Sequence, residues 1–180
     1  MNTGLIAYRY AKALLLYAME EHEEDTVYQE MRAVVDSFRM LPQIRTILTN
    51  PVTKNYDKQE LMIRMNGATS ASKSYVRFVA MLIDNNREGL LLQSARQYID
   101  QYREQKRIYV VKFKTATESD QATVDRITRL LQEFDSCTTV EYEKTVDRDI
   151  IGGFVAQVGN YRLDASVRTQ LNEIARSLRG

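Results

Sequence analysis

The sequence has little of the chemistry that most enzyme and metal sites need. Its 180 residues include one cysteine, one histidine and no tryptophan. A single cysteine, Cys137, excludes an internal disulfide, and one histidine with one cysteine is too few for the common zinc sites. A serine triad would have to use His22, which lies in the acidic run of residues 20–25. We therefore expect no catalytic site, no metal, no cofactor and no small-molecule substrate.

Glycine and proline are also scarce, with seven and two residues respectively. Together with 44% apolar and 27% charged residues, this composition is typical of a helix-rich globular protein and argues against disorder. The pair Gly152-Gly153 has no third glycine, no lysine and no following helix to hold a phosphate. The sequence therefore argues against nucleotide binding.

The chain has no excess of charge of either sign, with 25 basic and 24 acidic residues. A nucleic-acid binder normally needs a basic face, so we expect no nucleic-acid partner. The sequence has no apolar run of about 18 residues and no secretory signal pattern, which predicts a cytosolic chain that reaches a membrane only through a partner. One local basic segment is Lys106, Arg107, Lys112 and Lys114.

Helical periodicity dominates the first 105 residues and predicts six helices there. The first helix (5–19) is interrupted by only two charges, Arg9 and Lys12, and the core of the fifth (75–83) by only Arg77. A bundle helix needs an apolar stripe of about 100°, so both helices carry more apolar surface than one face can bury. Either both helices are central and enclosed by their own bundle, or they form a groove that accepts an amphipathic helix from a partner.

The hydrophobic period changes near residue 106, which predicts a domain boundary there. Residues 109–114 and 139–146 alternate like strands, 150–158 is a third predicted strand, and Gly159-Asn160 is a turn into a short fourth strand. Between them, Val124 to Phe134 carries a helical stripe. The predicted fold is an N-terminal six-helix bundle (1–105) followed by a small α/β domain (106–180), a β-sheet with flanking helices.

Two short features of the second domain have structural interpretations. We interpret Gly152 and Gly153 as a bulge or a close backbone approach within a strand. Asp164, together with Ser166, is placed to cap the N-terminus of a final helix with the stripe Val167, Leu171, Ile174 and Leu178.

Three strings in order along the chain resemble the delta subunits of F-type ATP synthases and the mitochondrial oligomycin-sensitivity-conferring protein. The first is Arg9-Tyr10-Ala11-Lys12-Ala13-Leu14, and the second is Asn86-Arg87 followed by a leucine-rich helix. The third runs from Asp149-Ile150-Ile151-Gly152-Gly153-Phe154-Val155 to Leu163-Asp164-Ala165-Ser166-Val167-Arg168.

The resemblance implies a non-catalytic stator subunit that joins the catalytic head to the peripheral stalk at the cytoplasmic face of the bacterial inner membrane. It implies that the first and fifth helices receive the N-terminal helix of an alpha subunit, with Tyr10, Leu14, Phe78 and Met81 facing that helix. It further implies that residues 106–180 contact the b-type stalk subunits.

Other interpretations remain open from the sequence alone. The exposed apolar surface and the basic segment are also compatible with a helical protein-binding module or a weak RNA-binding regulatory factor. An uncharacterised enzyme would rest only on scattered carboxylates such as Glu141 and Glu143, which we expect to be solvated charges on one strand face.

Overall fold

The computed structural model describes residues 3–115, 139–158 and 161–177. The predicted helical stripe from Val124 to Phe134, Cys137, the Gly159-Asn160 turn and Leu178 lie outside the described residues. The described part contains seven α-helices and four β-strands, so the prediction of an α plus β fold is confirmed. The chain divides into two compact units, Met1–Glu104 and Gln105–Gly180.

The N-terminal part of the chain is helical. Its helices are α1 (Thr3–Glu20), α2 (Glu24–Met40), α3 (Ile44–Thr49), α4 (Asn55–Arg64), α5 (Lys73–Asp84) and α6 (Leu91–Lys106), with a 3-10 turn at Glu88–Leu90 before α6.

Helix α5 packs against α1, α2 and α4. Its residues Tyr75, Val79 and Leu82 have no exposed surface. Because α5 touches three other helices, it forms the centre of this unit's core.

Helix α6 is attached to α2 by tyrosine side chains. The rings of Tyr28 and Tyr102 stack with their centroids 4.2 Å apart, and the Tyr102 hydroxyl donates to Asp25 Oδ1 at 2.7 Å. The Tyr98 hydroxyl donates to the carbonyl oxygen of Glu24 at 3.1 Å. Burial, followed by the hydrogen bond to Asp25, raises the pKa of Tyr102 above its ordinary value of 10.

The second unit contains a four-stranded sheet in its described residues. Its strands are β1 (Ile108–Thr115), β2 (Thr139–Val146), β3 (Gly153–Val158) and β4 (Tyr161–Ser166), in the order β2-β1-β3-β4. Strand β1 pairs parallel with β2 and antiparallel with β3, and β3 pairs antiparallel with β4.

One face of this sheet forms the core of the unit. Val111 and Phe113, which alternate along β1 as the sequence predicts, are buried with Ala156. Phe154 stacks on Phe113 with the ring centroids 5.3 Å apart. Helix α7 (Val167–Ser177) follows β4 directly and contacts it.

Gly153 lies where β3 begins, and its backbone requires glycine. Its φ is +73°, and a Cβ at this position would collide with the carbonyl oxygen of Ala165 on β4. The predicted close backbone approach is therefore confirmed at Gly153, although β3 begins there and residues 148–150 form a 3-10 turn instead of strand.

The predicted cap of Asp164 together with Ser166 is confirmed for Ser166 and not for Asp164. Strand β4 continues through Ser166, and it is the Ser166 hydroxyl that accepts the backbone N–H of Thr169, at 3.2 Å. Asp164 Oδ1 instead accepts the N–H of Ser166 at 3.1 Å. The cap belongs to Ser166 because it is the last residue with extended backbone before the helix.

Candidate functional site: a groove between two helices

A small apolar groove lies between α1 and α5. Its cavity has a volume of about 200 Å³. We call it the α1–α5 groove, and its lining is Ala13, Leu14, Tyr17, Ser74, Arg77, Phe78 and Met81.

Three of the four residues that the sequence predicted for partner binding lie together in this groove. Leu14 and Phe78 form its floor, with exposed fractions of 4% and 3%, and Met81 is half-buried beside them. A floor of this kind offers apolar atoms to a side chain that enters from outside, while the core beneath it is already packed.

Tyr10, the fourth predicted residue, does not line the groove. Its hydroxyl oxygen accepts a hydrogen bond from Arg87 Nη1 at 3.0 Å, and the Arg87 guanidinium lies 5.5 Å from the centre of its ring. Tyr10 is half-buried. Through Tyr10, α1 holds Arg87, which follows the end of α5.

A second arginine is held in the same way, and the sequence prediction missed both pairs. Arg77 donates from Nη1 to the Tyr17 hydroxyl at 3.1 Å, and its guanidinium lies 4.9 Å from the centre of that ring. Tyr10 and Tyr17 are seven residues apart and share a face of α1. The spacing of the two tyrosines was visible in the sequence, but the arginines that bind their hydroxyls are 60 and 77 residues away.

Two carboxylates from the α2 region hold the N-terminus of α5. Glu30, which is 1% exposed, accepts from the Ser72 backbone N–H at 2.7 Å, the Ser72 hydroxyl at 2.6 Å and Asn66 Nδ2 at 3.1 Å. Glu23 accepts from the backbone N–H and the hydroxyl of Ser74 at 2.9 and 2.6 Å. These bonds satisfy donors that a helix N-terminus leaves unpaired and favour negative charge there.

The hydrogen bonds to Glu23 have an electrostatic consequence. The Ser74 hydroxyl, followed by the Ser74 backbone N–H, holds the pKa of Glu23 below its ordinary value of 4.5. The same hydrogen bonds fix Ser74 at one end of the groove.

The C-terminus of α5 is fixed by backbone geometry and by a buried ion pair. Asn86 adopts φ of 53°, the Arg87 N–H bonds to the Leu82 carbonyl at 2.7 Å and the Asn86 N–H to the Ile83 carbonyl at 2.9 Å. This is a Schellman ending, in which asparagine substitutes for the usual glycine. Just beyond it, Lys58 Nζ lies 2.7 Å from Glu88 Oε1, with both side chains less than a tenth exposed.

A second cavity of about 520 Å³ lies at this end of α5. It is bordered by the start of α1, by α3 and α4, and by the turn after α5. The lining comprises Thr3, Ile6, Leu48, Thr49, Pro51, Lys58, Asn86, Arg87, Glu88, Gly89 and Leu90.

The surplus of apolar surface is distributed unequally between the two helices. Most of α5 is enclosed, since Tyr75, Phe78, Val79, Leu82 and Ile83 are all buried. Helix α1, by contrast, exposes large apolar side chains on its outer face: Leu5, Tyr8 and Leu16. Only the Phe78 and Met81 side of α5 reaches the groove, so α5 acts mainly as a central core helix.

In the second unit, α7 has no buried residue. Its stripe residues Leu171 and Ile174 are 52% and 55% exposed, and Leu163 on β4 is 53% exposed. An amphipathic helix with an uncovered apolar face is typical of a surface that another chain covers.

The described residues contain no group of three or more histidine, cysteine, aspartate or glutamate side chains arranged for a metal ion. Nor do they contain a helix long and apolar enough to cross a membrane.

By fold and site, the chain is thus an α plus β protein whose distinctive surfaces are an interhelical groove and an uncovered amphipathic helix. Residues 6–178 match the family model for the ATP synthase delta (OSCP) subunit. "ATP synthase subunit delta" of Phocaeicola vulgatus is 40% identical over 174 residues, which cover 97% of this chain and 94% of that protein. The subunit of Parabacteroides distasonis is 38% identical over 178 residues, covering 99% and 98%.

A chain in the mitochondrial ATP synthase hexamer of Toxoplasma gondii has a similar fold. Its TM-score is 0.68 at 20% identity, with 97% of each chain covered. The chain belongs to the ATP synthase delta (OSCP) subunit family. It is accordingly a non-catalytic subunit of ATP synthase with a stator role in the peripheral stalk, as the sequence resemblance predicted.

Proposed function

We propose that the α1–α5 groove binds the N-terminal helix of an ATP synthase alpha subunit and so fixes this stator subunit to the catalytic head. The observation that carries the proposal is the coincidence of Leu14, Phe78 and Met81 in one apolar cavity on the surface of the first unit. An amphipathic helix binds such a groove by inserting apolar side chains at positions i, i+3 or i+4, and i+7.

The anchoring of α5 at both ends supports this proposal. Glu23 and Glu30 hold its N-terminus, and the Lys58–Glu88 ion pair fixes the turn that follows it. A site built on a rigid helix loses less conformational entropy on binding than a site on a loop. A stator contact must hold against rotor torque. A pre-formed groove favours this, because it gives slower dissociation than a flexible site that buries the same area.

We propose further that residues 106–180 contact the b-type stalk subunits through the apolar face of α7. This face is formed by Leu171 and Ile174, which are exposed in the described structure. With one contact on each unit, the chain would connect head and stalk mechanically, at the cytoplasmic face of the bacterial inner membrane, and its membrane association would be indirect.

The test is calorimetric titration of the full chain with a peptide that copies the N-terminal helix of the alpha subunit from the same organism. We expect saturable binding that Met81→Glu weakens at least about tenfold, because a charge would be buried against Leu14 and Phe78. Leu16→Glu is the matched control: it adds the same charge to the exposed outer face of α1 and should leave binding unchanged.

Two outcomes would overturn the groove proposal. One is the absence of heat on titration of the folded wild-type chain. The other is an equal loss of affinity in Met81→Glu and Leu16→Glu, because the peptide would then be responding to charge and not to the groove.

A further inference from the structure

The two tyrosine-bound arginines lie at the two ends of one interhelical seam. Arg77 pairs with Tyr17, and Arg87, which is later in the chain, pairs with Tyr10, which is earlier on α1. The two segments therefore run antiparallel, with Leu14, Phe78 and Met81 between the arginine pairs. Arg77 lines the α1–α5 groove, and Arg87 lines the larger cavity at the other end.

The spacing of the arginine pairs follows from helix geometry. Tyr10 and Tyr17 are seven residues apart on α1, which corresponds to two turns, or about 10 Å along the axis. Each guanidinium lies within 4.9 to 5.5 Å of its tyrosine ring. A helix lying along the seam would therefore pass a guanidinium at two points about two turns apart.

The charges of these arginines are not neutralised within the described part of the chain. Each guanidinium donates to a tyrosine hydroxyl and lies over a ring, and neither forms an ion pair with a described carboxylate. A guanidinium has five N–H donors, so donors remain for a partner. The tyrosine contacts orient the planar group, which lowers the entropy lost when it forms a second bond.

We propose that Arg77 and Arg87 make the groove selective for an acidic helix, one whose apolar stripe is flanked by carboxylates about two turns apart. This inference rests on the proposed function and specifies the chemistry of the partner helix. The apolar floor supplies most of the affinity, while the two arginines set the register of the helix and exclude a basic helix of equal hydrophobicity. Tyr10 and Tyr17 are positioning residues, since they act through the arginines.

The test compares arginine variants in the titration with the alpha-subunit peptide, at several salt concentrations. Arg77→Gln should weaken binding about threefold at low salt, and the double variant with Arg87→Gln about tenfold, as expected for ion pairs near a surface. The dependence of affinity on salt should become shallower in the double variant. Lys12→Gln, which removes an exposed charge from the outer face of α1, should leave both quantities unchanged.

Charge reversal provides a sharper test of register. Arg77→Glu should weaken the native peptide further, and replacing one acidic peptide residue by lysine should restore binding to this variant alone. Failure of every single acidic-to-lysine peptide to restore binding would contradict the proposed register. Because Arg77 is exposed, its variants decide the question even if an Arg87 variant fails to fold.

The outcomes separate this inference from the groove proposal. If the wild-type chain does not bind the peptide, the groove proposal fails and the inference fails with it. If the wild type binds, and the double arginine variant binds as tightly with the same salt dependence, selectivity for an acidic helix is overturned while the groove proposal stands.

Discussion

Helices α5 and α7 have the same kind of N-terminal cap but differ greatly in burial. In each, a serine hydroxyl accepts the backbone N–H three residues on: Ser72 from Tyr75 and Ser166 from Thr169, both at 3.2 Å. Both helices are strongly amphipathic in sequence. Yet α5 buries six residues, whereas α7 buries none.

The comparison shows that a local signal fixes where a helix begins but not what covers it. The caps of α5 and α7 are set within three residues, whereas burial depends on chains or segments far away. Helix α5 is covered by α1, α2 and α4 of its own unit. The apolar face of α7 remains uncovered in the described structure, as expected for a helix that functions in an assembly.

The largest expected contrast is between two matched leucine truncations. Leu82→Ala on α5 should lower the free energy of unfolding by about 3 kcal/mol, because Leu82 is fully buried and the change leaves a cavity. Leu171→Ala on α7 should cost less than about 0.5 kcal/mol, because half of that side chain is already exposed. Urea denaturation followed by circular dichroism measures both.

Similar losses for the two truncations would break the contrast. They would mean that α7 is packed as tightly as α5, and that its apolar face is not available to a stalk subunit.

The anchoring of α5 by Glu30 gives the next effect. Glu30→Gln keeps the shape of the side chain but removes a charged acceptor that receives three hydrogen bonds, and we expect a loss of about 2 kcal/mol. The melting temperature of the full chain reports this loss. Glu60→Gln is the control, because Glu60 is on the surface and, within the described residues, pairs with Arg64 one turn away. An equal effect of both changes would show that the Glu30 network does not stabilise α5.

The serine caps should have smaller effects that resemble each other. Ser166→Ala should cost about 1 kcal/mol, the usual value for a lost N-cap. Ser72→Ala should cost somewhat more, since Ser72 also donates to Glu30. Thermal melts of both variants test this order, and a larger loss from Ser166→Ala would contradict it.

The smallest effect is a dependence on pH. The folded-state pKa of Glu23 lies below its ordinary value of 4.5, mainly because of the Ser74 hydroxyl. The folded state therefore binds the proton more weakly, so the stabilisation is fully present well above pH 4.5 and is lost as the pH falls through the folded-state pKa. Glu23→Gln should be less stable than the wild type at pH 7, and the difference should shrink below pH 4.5.

Asp164 provides the matching case beside α7. The Ser166 hydroxyl and N–H hold the pKa of Asp164 below its ordinary value of 3.8. The stability difference between wild type and Asp164→Asn should therefore be present at pH 7 and shrink as the pH falls below 3.8. Urea midpoints that show the same difference at every pH between 2 and 7 would contradict the assigned hydrogen bonds.

The features predicted well from the sequence are those that a short segment determines. The alternation of Val111 and Phe113 along β1 placed them in the core. The expectation that Leu14, Phe78 and Met81 share one surface came instead from the family resemblance. The sequence named Asp164 and Ser166 together for the cap of the final helix, and only the length of β4 decides that Ser166 is the capping residue. That length is set by pairing with β3, which a local pattern does not reveal.

The arginine pairs were missed for a related reason. Tyr10 was expected to face the partner because it matches the family motif of the first helix, but its hydroxyl binds an arginine 77 residues away. Periodicity reports which face of a helix is apolar, and it carries no information on which distant polar group meets that face. The polar residues at the edges of a groove therefore cannot be predicted from periodicity and have to be located in the structure.

The most direct test of the central claim is site-specific cross-linking in the assembled ATP synthase. A photoreactive residue in place of Met81 should cross-link to the alpha subunit, and the same residue in place of Leu171 should cross-link to a stalk subunit. Cross-linking from position 81 to a stalk subunit, or none there while position 171 reacts, would contradict the claim that the α1–α5 groove holds the catalytic head.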